Sequence, residues 1–175
     1  MHASRLFRQI ILLACPAVIL GVGRNLVVPG GIPWVGQWGA TVQAAADSIV
    51  PPSSVQPGDP PFLTLTQAEA KHTDKNVVFV DARYPADYEQ GHITGAVLLP
   101  FEMFDDYWAG VEERLPKDRE IVTYCGGSEC ELSLFLARLL RQKGYGQVSV
   151  FFGGSTIWEQ EGLPMEKGAA PPPGV

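Results

Sequence analysis

The sequence predicts an α/β domain with a mostly parallel central sheet flanked by helices, preceded by an N-terminal apolar helix. Three observations lead there. Short continuous runs rich in β-branched and aromatic residues recur at 77–80, 96–99, 121–124 and 148–152, and strands without alternation belong to sheets covered on both faces. Segments of helical character lie between them, plainest at 131–143 with Leu132, Phe135, Leu136, Leu139 and Leu140. Ahead of all this, residues 9–23 form an apolar stretch without a charge.

In chain order, residues 1–28 are expected to be a membrane anchor or an uncleaved signal. Arg5 and Arg8 precede the apolar stretch, and Arg24 follows it. Such a start reads either as a signal peptide that is removed or as an anchor that stays; no small-x-small cleavage site closely follows Gly23, which favours retention. The excess of arginine before the span puts the N-terminus in the cytoplasm and the domain on the extracytoplasmic, periplasmic side. Trp34 and Trp38 suit either the headgroup level or packing on the domain. Residues 29–61 read as a Gly/Pro-rich linker, because proline removes backbone donors and resists helix. A Pro/Gly tail at 168–175 is expected to lack fixed structure.

The domain itself is placed at residues 62–167. Thr66 and Glu69 have the spacing of a capping box, which starts a helix running to about His72. The strand at 77–80 ends in Asp81, and Pro100 stops the strand at 96–99. A helix is expected over 101–115, and the helix at 131–143 is closed by Gly144. After the strand at 148–152 come Gly153 and Gly154 and a short helix around Trp158, which is read as core. His92 is read as a satisfied structural histidine.

Composition narrows the function. Of 175 residues, 46% are hydrophobic, enough for a buried core, and the net charge of -6 argues against nucleic acid as a partner. Cys15, Cys125 and Cys130 are too few for a disulfide framework or a four-thiolate zinc site, and the three histidines are scattered. No metal and no cofactor are expected.

The chemistry gathers in one loop. Cys125 follows the strand at 121–124 and precedes the helix at 131–143, hence it stands at the carboxyl edge of a parallel sheet, where ligands of such sheets bind. Gly126 and Gly127 let the backbone curl, and the following helix presents the positive end of its dipole. A thiolate or persulfide anion would be stabilised there, and the thiolate is the nucleophile. A buried structural cysteine is the bland alternative.

Several segments together resemble the rhodanese-like (single-domain sulfurtransferase) family: Asp81-Ala-Arg83 at a strand end, residues 88–96 with Gly91-His-Ile93, Leu99-Pro100, Tyr124-Cys125, residues 152–158, and Gly162-Leu-Pro164. The resemblance implies a parallel-sheet α/β fold and a sulfurtransferase that carries sulfane sulfur as a persulfide on Cys125; with the apolar stretch at 9–23 the expectation becomes a membrane-tethered enzyme. Its partners would be a small sulfur donor, thiosulfate or a thiol persulfide, and a thiol acceptor. It assigns the substrate-binding loop to Gly126, Gly127, Ser128, Glu129 and Cys130, and makes Asp81 and Arg83 supports of the sheet edge and loop. Phosphatase relatives have a loop one residue longer, ending in an arginine; Glu131 stands in that place here, and a carboxylate cannot pair with phosphate. Glu129 and Glu131 would also repel a dianionic donor, which disfavours thiosulfate. Ser128 is a candidate contact for the bound sulfur species. Cys130 raises a second reading, a thiol–disulfide redox module in which it resolves Cys125. A third is a catalytically silent binding domain.

Overall fold

The computed structural model describes residues 52–127 and 130–172. The elements run α1 (Leu65–His72), β1 (Val77–Asp81), α2 (Pro85–Gln90), β2 (His92–Ile93), β3 (Val97–Leu98), a 3-10 turn (Phe101–Met103), α3 (Phe104–Glu112), β4 (Glu120–Tyr124), α4 (Leu132–Gln142), β5 (Val148–Phe151), α5 (Gly154–Gln160) and β6 (Met165–Glu166). Four strands form a parallel sheet in the order β3-β1-β4-β5, as expected from their continuous apolar runs. The α/β reading with a mostly parallel sheet and flanking helices thus holds. The N-terminal apolar helix, and with it the anchor at residues 1–28, lies outside the described residues; among these, no helix is long and apolar enough to cross a membrane.

Successive strand residues face opposite ways, and two cores result. Val80, Ile121 and Val150 pack on one face with Tyr107 and Val111 of α3 and Leu136 and Leu140 of α4. Phe79, Val122 and Phe151 pack on the other with Leu65 and Ala68 of α1 and Trp158 of α5. Trp158 is fully buried, and its Nε1 donates to the Pro164 carbonyl (3.0 Å).

Several elements differ from the sequence reading. The capping box uses Thr64 and Gln67, not Thr66 and Glu69. The earlier start puts Leu65 and Ala68 one turn apart on the buried side. The expected helix at 101–115 is a 3-10 turn followed by the shorter α3. On α4, Ser133, Leu134, Leu136, Ala137 and Leu140 are buried, while Leu132, Phe135 and Leu139 are only partly so. Gly144 closes α4 as expected: at φ 91° it lets its own N–H reach the Arg141 carbonyl and the Tyr145 N–H reach the Leu140 carbonyl. The antiparallel β2–β6 pair was not anticipated.

The described parts of the expected linker and tail are tied down. Arg138 on α4 makes a two-pronged ion pair with Asp59 (2.7 Å to each oxygen) and also donates to the Ser54 carbonyl. Leu63 N–H donates to the Val150 carbonyl and Val150 N–H to that of Pro61, so this segment runs along the edge of β5. Ala170 N–H donates to Glu89 Oε1 (3.2 Å).

Candidate active site

Strands β1, β4 and β5 end level with one another, since Asp81 pairs with Tyr124 and Tyr124 with Phe151. Cys125 is the first residue beyond that edge and is fully buried. Its sulfur is bonded to that of Cys130, with the two Cα atoms 6.2 Å apart. The loop therefore forms a closed ring whose far side, Cys130, remains partly exposed.

Three polar groups of the described residues neighbour the Cys125 sulfur. Among the described residues, the Ser133 hydroxyl stands 3.6 Å away, and the Cys130 and Gly127 carbonyl oxygens lie at 2.9 and 3.8 Å. The Cys130 N–H donates to the Gly127 carbonyl (2.9 Å). Ser128 and Glu129 lie outside the described residues. Ser133 is in the first turn of α4, where unpaired N–H groups and the positive end of the dipole gather. Thr123 Oγ1 donates to the Ser133 carbonyl (2.9 Å), fastening that turn to β4. Glu131 occupies the N-cap position of α4 without a side-chain capping bond.

The loop is held from its other side by backbone. Ser155 N–H donates to the Cys125 carbonyl (2.8 Å) and Thr156 N–H to the Gly126 carbonyl (3.0 Å). This close approach needs glycine at 154: its φ is 58°, and a β-carbon there would press on the backbone of Cys125, Gly126 and Gly127.

The profile described as Rhodanese-like domain matches residues 64–161, more than half of the chain. The chain belongs to the rhodanese-like family. A sulfurtransferase of Allochromatium vinosum is 35% identical over 91 residues, which cover 52% of this chain and 79% of that protein. An HTH-type transcriptional regulator of Mycobacterium tuberculosis is 33% identical over 135 residues, 74% of this chain but only 58% of the regulator. Among solved structures, wild-type EanB aligns with a TM-score of 0.54 at 25% identity, covering 62% of this chain and 28% of EanB.

Within this rhodanese-like domain, Asp81 and Arg83 act as a frame beside the cysteine loop. Arg83 Nη2 donates to Asp81 Oδ2 (2.6 Å), its Nε to Oδ1 (3.0 Å), and Nη2 also to the Gly91 carbonyl (2.7 Å). Burial opposes the Arg83 charge, but the bonds and charge of Asp81 outweigh it and raise its pKa. Arg83 lies 6.0 Å over the Tyr124 ring, and the Tyr124 hydroxyl accepts the Ile93 N–H (3.1 Å). Burial first, then the Asp81 carboxylate, push the Tyr124 phenol well above its ordinary range. The pair thus borders Tyr124, the residue before Cys125.

His92 is a structural histidine as expected: buried, stacked on Tyr88 at 3.5 Å, with Nδ1 2.8 Å from the Tyr88 carbonyl and Nε2 3.1 Å from Glu166. Ser133 and the Ser155–Thr156 amides are the site groups that sequence reasoning missed. Gly153-Gly154 after β5 was the available signal for the amides, because paired glycines at a strand end mark a close backbone approach. Among the described residues no group of three or more His, Cys, Asp or Glu is placed to hold a metal ion.

Proposed function

We propose that this chain is a membrane-tethered sulfurtransferase in which Cys125 accepts sulfane sulfur as a persulfide and passes it to a thiol. The observation that carries this reading is the position of Cys125: it leaves β4 at the carboxyl edge of the sheet, against the first turn of α4, with the Ser133 hydroxyl at 3.6 Å. A thiolate or persulfide released from the disulfide gains a donor and a helix dipole there. Membership of the rhodanese-like family and the relative named a sulfurtransferase support the same chemistry. Tethering rests on the apolar stretch at 9–23 and the arginines before it. A domain outside the cytoplasm also suits a chain whose reactive cysteine is disulfide-bonded.

The test is a mass measurement on the full chain, first reduced and then freed of reductant. In Cys130→Ser, where no neighbouring thiol can displace the sulfur, a thiol persulfide is expected to add about 32 Da, one sulfur, and the further change Cys125→Ser to abolish the adduct. Thiosulfate is expected to react more slowly, because Glu131 stands at the mouth of α4. An adduct of equal yield in Cys125→Ser would overturn the assignment. A second reading, a thiol–disulfide module, is favoured by one specific observation, the Cys125–Cys130 bond. Chemical oxidation that closes the bond without any sulfur donor, with no adduct on reduced Cys130→Ser, would make it the better account.

A further inference from the structure

We infer that, unless a docked acceptor thiol takes the sulfane sulfur first, Cys130 ends the turnover inside the loop, releasing that sulfur as hydrosulfide, and that a dithiol then resets the pair. This rests on the reading that Cys125 becomes a persulfide. The juxtaposition that carries it is the bond between the two sulfurs: Cys130 reaches the Cys125 sulfur within the folded loop, five residues away in sequence. A thiol held at that distance attacks intramolecularly, with an advantage that no acceptor in dilute solution matches.

The chemistry balances. The Cys125 thiolate attacks the outer sulfur of a thiol persulfide, and the donor thiolate leaves. The Cys130 thiolate then attacks the Cys125 sulfur, the bond from Cys125 to its outer sulfur breaks, and hydrosulfide departs. The sulfane sulfur gains two electrons and the two cysteine thiols lose them to form the disulfide. An external dithiol restores both thiols and is itself oxidised to a disulfide.

Burial sets the direction of the reset. Cys125 is fully buried, whereas Cys130 is partly exposed. The reductant therefore attacks Cys130, and the Cys125 thiolate leaves toward the Ser133 hydroxyl. A monothiol on Cys130 would be displaced again by Cys125 beside it. A second thiol on the same reductant wins that competition, which is why the partner is a dithiol.

The experiment is a single turnover on the full chain, reduced, freed of reductant and given one equivalent of cysteine persulfide under anaerobic conditions. The expected result is about one equivalent of hydrosulfide and a chain about 2 Da lighter than its reduced form. Cys130→Ser is expected to keep an adduct of about +32 Da and release almost no hydrosulfide. A stable adduct in both the wild type and Cys130→Ser, without hydrosulfide, overturns the inference and leaves Cys125 as a persulfide carrier. No adduct in Cys130→Ser overturns both. The closed form is expected to reopen about tenfold faster with dithiothreitol than with glutathione at equal thiol concentration. Equal rates would remove the dithiol.

Discussion

Two loops leave the same sheet edge from neighbouring strands, and they are fixed by opposite means. Beyond β1, Asp81 and Arg83 close on each other as a fork, with Asp81 fully buried and the Arg83 side chain 13% exposed. No thiol or sulfur donor can alter that contact. Beyond β4, the loop from Cys125 is closed by a sulfur–sulfur bond and by two amides of α5. A thiol can open the first of these and leave the second intact. One loop is thus a permanent frame, and the other keeps a backbone seat beneath a covalent lock that a thiol can open.

The largest expected effect breaks the frame. Asp81→Ala leaves the Arg83 guanidinium mostly buried, with the Gly91 carbonyl as its remaining hydrogen-bond acceptor among the described residues. Removing one partner of a buried pair in this way should cost about 3 kcal/mol. Urea denaturation of the oxidised chain measures it as a lower midpoint. A loss below about 1 kcal/mol would place this pair with ordinary surface ion pairs and dissolve the contrast between the loops.

Opening the second loop should cost less. The bond spans only five residues, and restricting so short a loop in the unfolded chain is worth about 2 kcal/mol by chain entropy. Reduced wild type and Cys130→Ser should therefore share a urea midpoint, both below that of the oxidised wild type. The amides of Ser155 and Thr156 should keep the seat of the loop, so their exchange with deuterium should slow no less in the reduced chain than in the oxidised one. Rapid exchange on reduction would show that the lock holds the seat as well.

The frame and the loop were not equally legible in the sequence. The parallel strands could be read because residues such as Val77–Asp81 and Glu120–Tyr124 are nearly continuous apolar runs. Cys125 could be placed because a strand and a helix bracket it, and that requires no tertiary knowledge. Ser133 could not, because its aim depends on the rotation of α4, and the apolar pattern from Leu132 to Leu140 suggested a different buried face. The capping box was misplaced because two threonines each have Gln or Glu three residues on, and only the burial of Leu65 and Ala68 chooses between them. The pair β2–β6 has two residues in each strand and joins positions over 70 apart, so it has no period to detect. The six-residue helix α2 starts at Pro85 without a side-chain cap and is likewise too short to show one.

The smallest effect sharpens the comparison from the far side of the frame. Glu166 on β6 accepts the Gly95 N–H (2.9 Å) and meets His92 (3.1 Å), and β2 in turn offers its Ile93 N–H to the Tyr124 hydroxyl. The Gly95 bond lowers the Glu166 pKa most, burial opposes it, and His92 lowers it further, so the group sits below its ordinary value of 4.5. A carboxylate depressed on folding adds stability above its unfolded pKa and loses it as pH falls through the lower, folded one. Glu166→Gln should therefore cost less than about 1 kcal/mol at neutral pH, since its side chain is 44% exposed and screened by water. The difference from wild type should shrink on acidification below 4.5. Urea midpoints of the two proteins across that range test it. Because Tyr124 lies between β2 and Cys125, the alkylation rate of Cys125 in reduced Glu166→Gln is a second readout. An unchanged rate would mean that the frame absorbs the disturbance before it reaches the loop; a slowed one would extend the frame from Asp81 and Arg83 to the β2–β6 pair that carries Glu166.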